Sequence, residues 1–246
     1  MKREFVGAAF GAGVVALLSE ERREWARGAL GRLARGVGAF GETQVAAKLL
    51  LKKVAGSFDD AGVPFLLAGG GACWVRGGPF PKDFDLVVAP DDVERARDVL
   101  AAAGMRIVRR PEQWLFQAYE HGIKIDVLFR PIGVSVGELF RRADQLEVDG
   151  VQMKVICLED VFAWRLLAIT EDTAYRFERH IPSARALREQ VDWAEVEERT
   201  ATSPFARAFF TLLRGLGVVP LEPTDEGVSP FQLMSERRRA ANPAKS

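Results

Sequence analysis

Leu66-Leu67-Ala68-Gly69-Gly70-Gly71 is followed, after eleven residues, by Asp83-Phe84-Asp85-Leu86-Val87-Val88. The apolar run Pro64–Ala68 predicts a buried strand that stops abruptly in three glycines. Without a Cβ, glycine lets backbone N–H groups come close to a bulky anion. The second run predicts another strand, opened by two acids at i and i+2. Side chains two apart on a strand share a face, so Asp83 and Asp85 project together while Phe84 and Leu86 turn to the core. Neighbouring carboxylates repel unless a cation lies between them, and hard oxygen ligands suit Mg²⁺.

A third acid completes the pattern. His121-Gly122-Ile123-Lys124-Ile125-Asp126-Val127-Leu128-Phe129 reads as a strand entered through a turn, with Asp126 its one acid. If this strand packs beside Asp83–Val88, three carboxylates face a glycine turn, an arrangement suited to a metal and a triphosphate.

These residues resemble the DNA polymerase β-type nucleotidyltransferase superfamily. Its pattern is a hydrophobic strand ending in Gly-Gly or Gly-Ser, about a dozen residues, Asp-h-Asp/Glu-h, and a later h-Asp/Glu-h strand (h, hydrophobic). Gly69-Gly70, twelve residues, Asp83-Phe84-Asp85-Leu86 and then Ile125-Asp126-Val127 fit it. The likeness covers roughly residues 60–215 and is nearest to the small bacterial members, which include antibiotic-modifying enzymes and AbiEii-type toxins. It implies an α/β fold with a small mixed sheet, N-terminal helices before it and a C-terminal helical bundle after it. It also implies transfer of a nucleoside monophosphate from an NTP donor to a hydroxyl of an acceptor: a small molecule, a protein or an RNA end. Two Mg²⁺ ions would be held by Asp83, Asp85 and Asp126, and the β- and γ-phosphates cradled by Gly69 and Gly70. Arg76 and Lys82 flank the acids and are candidates for phosphate or substrate. Relatives often carry Glu-Asp-Leu and then a lysine in the first C-terminal helix. Here Glu159 and Asp160 match, and Arg165 stands near the lysine position. The Arg-x-Lys-Asp of the next helix has no counterpart; Arg176, Arg179 and His180 lie there instead.

Other chemistries fit poorly. No Gly-Lys-Ser/Thr follows the glycines as a P-loop requires, and Trp74 stands where a dinucleotide fingerprint needs glycine. Two histidines, His121 and His180, and no nucleophile elbow leave little room for a serine relay. Cys73 reads as packed. The alternative to an enzyme is a non-catalytic interaction protein of the same fold, and binding of Mg²⁺-NTP separates the two.

Lys+Arg and Asp+Glu are both 34, so the net charge is zero, which argues against general coating of nucleic acid. Two distant cysteines support neither a disulfide framework nor a zinc site and point to the cytoplasm. The apolar stretch Phe5–Leu18 is shorter than the roughly 20 residues of a spanning helix. It reads as a packed helix, with membrane association as the alternative. Residues 1–42 are expected to form an N-terminal helical segment, 43–156 the nucleotidyltransferase core, 157–220 a helical region and 221–246 a disordered tail. Within the core, Val45, Leu49, Leu50, Val54 and Phe58 recur at helical spacing. Asp149-Gly150 marks the turn of a hairpin.

Overall fold

A computed structural model describes residues 43–109, 114–131 and 133–220. The chain divides into two units, residues 1–49 and 50–246. The segment Phe5–Leu18, the charged helix expected after it and the C-terminal tail lie outside the described residues. Among the described residues, no helix is long and apolar enough to cross a membrane.

A helix over residues 43–60 (α1) precedes the sheet. Its inward stripe is Leu50, Leu51, Val54, Ala55 and Phe58, all buried, whereas Val45 and Leu49 are exposed. Seven strands follow: β1 (Phe65–Ala68), β2 (Phe84–Val88), β3 (Arg106–Arg109), β4 (Leu115–Glu120), β5 (Ile123–Leu128), β6 (Asp144–Val148) and β7 (Val151–Val155). Between them come a one-and-a-half-turn helix α2 (Gly69–Trp74), α3 (Val93–Ala102) and α4 (Val136–Arg142). After the sheet come α5 (Leu158–Leu167), α6 (Ile181–Ala186), α7 (Trp193–Thr200) and α8 (Pro204–Gly215), with a 3-10 segment at Glu171–Arg179 before α6.

The strands form one mixed sheet in the order β3-β4-β5-β2-β1-β7-β6. β1 and β2 are antiparallel, β2 and β5 parallel, and β5, β4 and β3 antiparallel in turn. On the other side, β7 joins β1 in parallel through Leu67 and Val155. The central strands are the most apolar: all four residues of β1 are buried, as are four of the five in β2. The two hairpins turn where the sequence places them. His121-Gly122 and Asp149-Gly150 both have positive φ at the two central positions, the turn sense that matches the twist of paired strands.

The helices after β7 pack around α5, which is buried on nearly every side: Leu158, Asp160, Val161, Phe162, Ala163 and Leu166 are all inside. This explains why α5 shows little amphipathic pattern. Trp193 of α7 packs against Phe162 with tilted rings (4.8 Å) and meets Phe210 of α8 edge-on (6.2 Å). Side chains of this size each contribute about 1.5–3 kcal/mol on burial. The polar entrance of α5 is held by ions. Asp160, 1% exposed, contacts Arg199 at 2.6 Å and Arg142 at 3.2 Å, and the Cys157 thiol donates to it at 2.9 Å. Glu159 accepts from the backbone N–H of Asp192, whose own carboxylate caps α7 at Ala194 and Glu195. The acidic pair that opens α5 thus pins this helix to α7 and, through Arg142, to α4.

Candidate active site

The glycine turn begins at Gly69, which leaves β1 with φ +55°. An L side chain would be strained there, and a Cβ would lie 1.9 Å from Asp85 Oδ2 and 2.7 Å from its carboxyl carbon. Gly70 is equally confined: a Cβ on it would lie 2.7 Å from Pro81 Cβ and 3.9 Å from Arg165 Nη2. The turn is glycine because the Asp85 carboxylate and Pro81 occupy the space a side chain would need.

Sheet register assembles the acids in two rows. In one, Ala68 of β1, Asp85 of β2, Asp126 of β5 and Gln117 of β4 are successive cross-strand partners. In the other, Asp83, one residue before β2, is level with Lys124, which pairs with Tyr119, which pairs with Arg106. All three predicted aspartates therefore come together on one face. Lys124 is the base among them. Its ammonium lies 2.6 Å from Asp83 Oδ2 and also contacts Asp126 Oδ2. The other oxygen of Asp126 accepts from Gln117 Nε2 at 2.8 Å, and Tyr119 O–H donates to Gln117 Oε1 at 2.8 Å. Arg106 lies over the Tyr119 ring, 4.5 Å from its centroid. Gln117 is buried, so the orientation of Asp126 is set from inside the sheet.

The electrostatics follow from crowding. Asp85 keeps some accessible surface as a residue, but its carboxyl is enclosed. Burial foremost, then Asp83 and Asp126, push its pKa up to about 7 against the opposing pull of Arg165 and Lys124. Burial works against the Lys124 ammonium, yet its bonds to Asp126 and Asp83 outweigh that and raise its pKa above the ordinary lysine value. The carboxylates face a deficit of positive charge.

The basic residues divide. Arg76 turns away from the acids: its guanidinium pairs with Asp144 at 2.5 Å and donates to the Ala72 carbonyl at 2.9 Å. Lys82 is exposed just before Asp83. Arg165, on α5, is the guanidinium beside the glycine turn, with Nη1 3.4 Å from the buried Cys73 sulfur. Its charge opposes protonation of both Asp85 and His180. Gln117 and Tyr119 are the participants that sequence reasoning passed over. Their signal was available in the alternation of β4 and β5, which puts 117 and 119, and 124 and 126, on common faces.

Carboxylate oxygens are donors of the kind that suit a hard divalent cation. Asp83 and Asp126 each already direct an oxygen at a single positive group, the Lys124 ammonium, while Asp85, the cross-strand partner of Asp126, lies against the glycines. Among the described residues, no three carboxylate, imidazole or thiol groups converge tightly enough to enclose an ion by themselves.

Comparison with known proteins agrees with this architecture. The solution structure of the antibiotic-resistance factor ANT(2'')-Ia is similar at a TM-score of 0.50 and 16% identity, over 71% of this chain and 98% of that one. A crystal structure of ANT(2'')-Ia with adenylyl-2''-tobramycin gives a TM-score of 0.49 and 16% identity, over 67% and 99%. No curated protein matches the sequence. The model of a family described as uncharacterised nucleotidyltransferase matches residues 24–217. With its mixed sheet and its glycine turn set against acids on neighbouring strands, the chain belongs to that nucleotidyltransferase family.

Proposed function

We propose that the chain moves a nucleoside monophosphate from an NTP to a hydroxyl of its acceptor in a reaction dependent on a divalent cation such as Mg²⁺, with Asp83, Asp85 and Asp126 as the working carboxylates. The observation that carries this reading is the register of β2 and β5, which sets Asp126 beside Asp85 directly under the Gly69–Gly70 turn.

Asp83, Asp85 and Asp126 would hold the cations, and two ions match three carboxylates that face a triphosphate. When bound, the metal supplies Lewis acidity to the attacking hydroxyl and offsets charge on the leaving pyrophosphate. The protein's own groups do the rest. Backbone N–H groups of Gly69 and Gly70 receive the β- and γ-phosphates, where no Cβ intervenes. Arg165 adds fixed positive charge beside that turn and takes the phosphate role first assigned to Arg76, which Asp144 engages. Asp126, fixed by Gln117, draws the proton from the acceptor hydroxyl. The hydroxyl oxygen then bonds to the α-phosphorus, the bond to the bridging oxygen breaks, and pyrophosphate departs with that electron pair.

The test is thermal stability of the purified chain with Mg²⁺ and each NTP in turn. A ligand that binds only the native state raises the midpoint. A rise with one NTP, lost in Asp83→Ala, identifies the donor. Asp85→Asn should keep the fold and release no pyrophosphate. No rise with any NTP would favour a non-catalytic binding module of the same fold.

A further inference from the structure

Lys124 sits between two of the three acids. It stands level with Asp83 across the β2–β5 pair and two residues before Asp126 on the same face of β5. Its ammonium joins their Oδ2 atoms, at 2.6 Å from Asp83 and in direct contact with Asp126. Its side chain is 26% exposed and Asp126's is 15%, so the ammonium closes a gap that opens towards solvent and not into the core. The gap is walled on the far side by the Gln117–Asp126 hydrogen bond, which leaves Asp126 Oδ1 committed and Oδ2 as its oxygen for a cation.

We propose that Lys124 is a resident counter-ion of the metal-free enzyme, occupying the place between Asp83 and Asp126 that a divalent cation takes, so that metal binding is an exchange in which the ammonium swings out. This rests on the metal-dependent reading above. Size makes the two occupants mutually exclusive. Carboxylate oxygens contact an ammonium nitrogen at about 2.7–2.9 Å and Mg²⁺ at about 2.0–2.1 Å, and both cations would need the same two oxygens. Charge makes the exchange possible, since a divalent ion replaces one positive charge with two between the same pair of acids. The lysine stem has four rotatable bonds and a partly solvated tip, so it can leave without disturbing the strand. Once displaced, the ammonium remains near the acids as a mobile positive charge.

The consequence is that the resting affinity for metal is held down by the protein's own side chain. Binding of Mn²⁺ alone, without nucleotide, should be measured on the full chain by loss of the free-ion EPR signal, in wild type, Lys124→Met, Lys124→Gln and Lys124→Arg. The neutral variants should bind Mn²⁺ about tenfold more tightly or better, and Lys124→Arg should bind like wild type. In EDTA the neutral variants should melt below wild type, with Mn²⁺ restoring the midpoint, because Asp83 and Asp126 then lack any cation. Mn²⁺ binding that depends on Asp83 but is equal or weaker in both neutral variants would overturn the exchange and leave the metal-dependent reading standing. Absence of Asp83-dependent Mn²⁺ binding in every variant would remove that reading and the exchange together.

Discussion

Gly69 and Asp85 meet across the first strand pair so closely that a methyl on Gly69 would lie 1.9 Å from Asp85 Oδ2. Gly69→Ala is strained twice, by that overlap and by its φ of +55°, and should lose about 2–4 kcal/mol of stability. Gly56→Ala is the matched control. It lies mid-helix in α1 with nothing within 4 Å of a new Cβ, and should gain about 0.5–1 kcal/mol. Urea unfolding of the two variants checks both signs.

Asp85 makes the metal-free protein sensitive to alkali. Its folded pKa of about 7 lies above the unfolded value of 3.8. The stability it contributes is complete below about pH 4 and is lost as the pH rises through 7. In EDTA, Asp85→Asn should therefore melt higher than wild type at pH 8 but not at pH 4. A difference on the order of 2 kcal/mol corresponds to about 4–8 °C. Differential scanning calorimetry at the two pH values reads it directly.

His180 works in the opposite direction. Burial, then Arg165 and Arg179, lower its pKa to about 4, below the free value of 6.5. Its contribution is complete above pH 6.5 and is lost as the pH falls towards 4. It meets Phe209 edge-on at 6.1 Å, so a phenyl ring suits the position. His180→Phe should flatten the loss of stability between pH 6.5 and 4 by about 1 kcal/mol, measured as the denaturation midpoint against pH.

Asp160 tests the architecture apart from catalysis. Removing it leaves Arg142 and Arg199 facing one another across a site that is 1% exposed at its centre. Breaking a buried pair from one side costs about 3–5 kcal/mol, so Asp160→Ala should melt about 6–20 °C lower. Asp160→Asn, which keeps the acceptor oxygen towards Cys157, should lose less. Equal melting of wild type and Asp160→Ala would show that Glu195, which also pairs with both arginines, suffices alone.

The acids were legible because strand alternation is strict. Once Phe84 and Leu86 are inward, Asp83 and Asp85 share the other face, and the same parity applies to Lys124 and Asp126. The hairpins were legible from His121-Gly122 and Asp149-Gly150, whose positive φ is demanded locally. What could not be read was set by partners distant in sequence. Arg76 looked free for phosphate, but its partner Asp144 lies 68 residues on, at the start of β6. Glu159 and Asp160 matched a family pattern without revealing that they clamp α7. The stripe of α1 failed at Val45 and Leu49, because period tells which side residues occupy and not whether anything covers them.

The parallel pairing of β1 with β7 has a consequence for synthesis. Gly69, Asp83, Asp85 and Asp126 have all been made by the time the ribosome passes Phe129, but β1 still lacks its second neighbour. That neighbour arrives with Val155, opposite Leu67, and with the bond from Ile156 N–H to the Leu67 carbonyl at 3.0 Å. Arg165 comes later still. At about 5–20 residues per second, synthesis takes on the order of seconds to go from Phe129 to Val155 and Arg165, and until these emerge the most apolar strand of the sheet lacks its second neighbour and the glycines lack their guanidinium. β7 therefore governs when the sheet is sealed against other nascent chains, and α5, which carries Arg165, governs when the glycine turn first gains its positive charge.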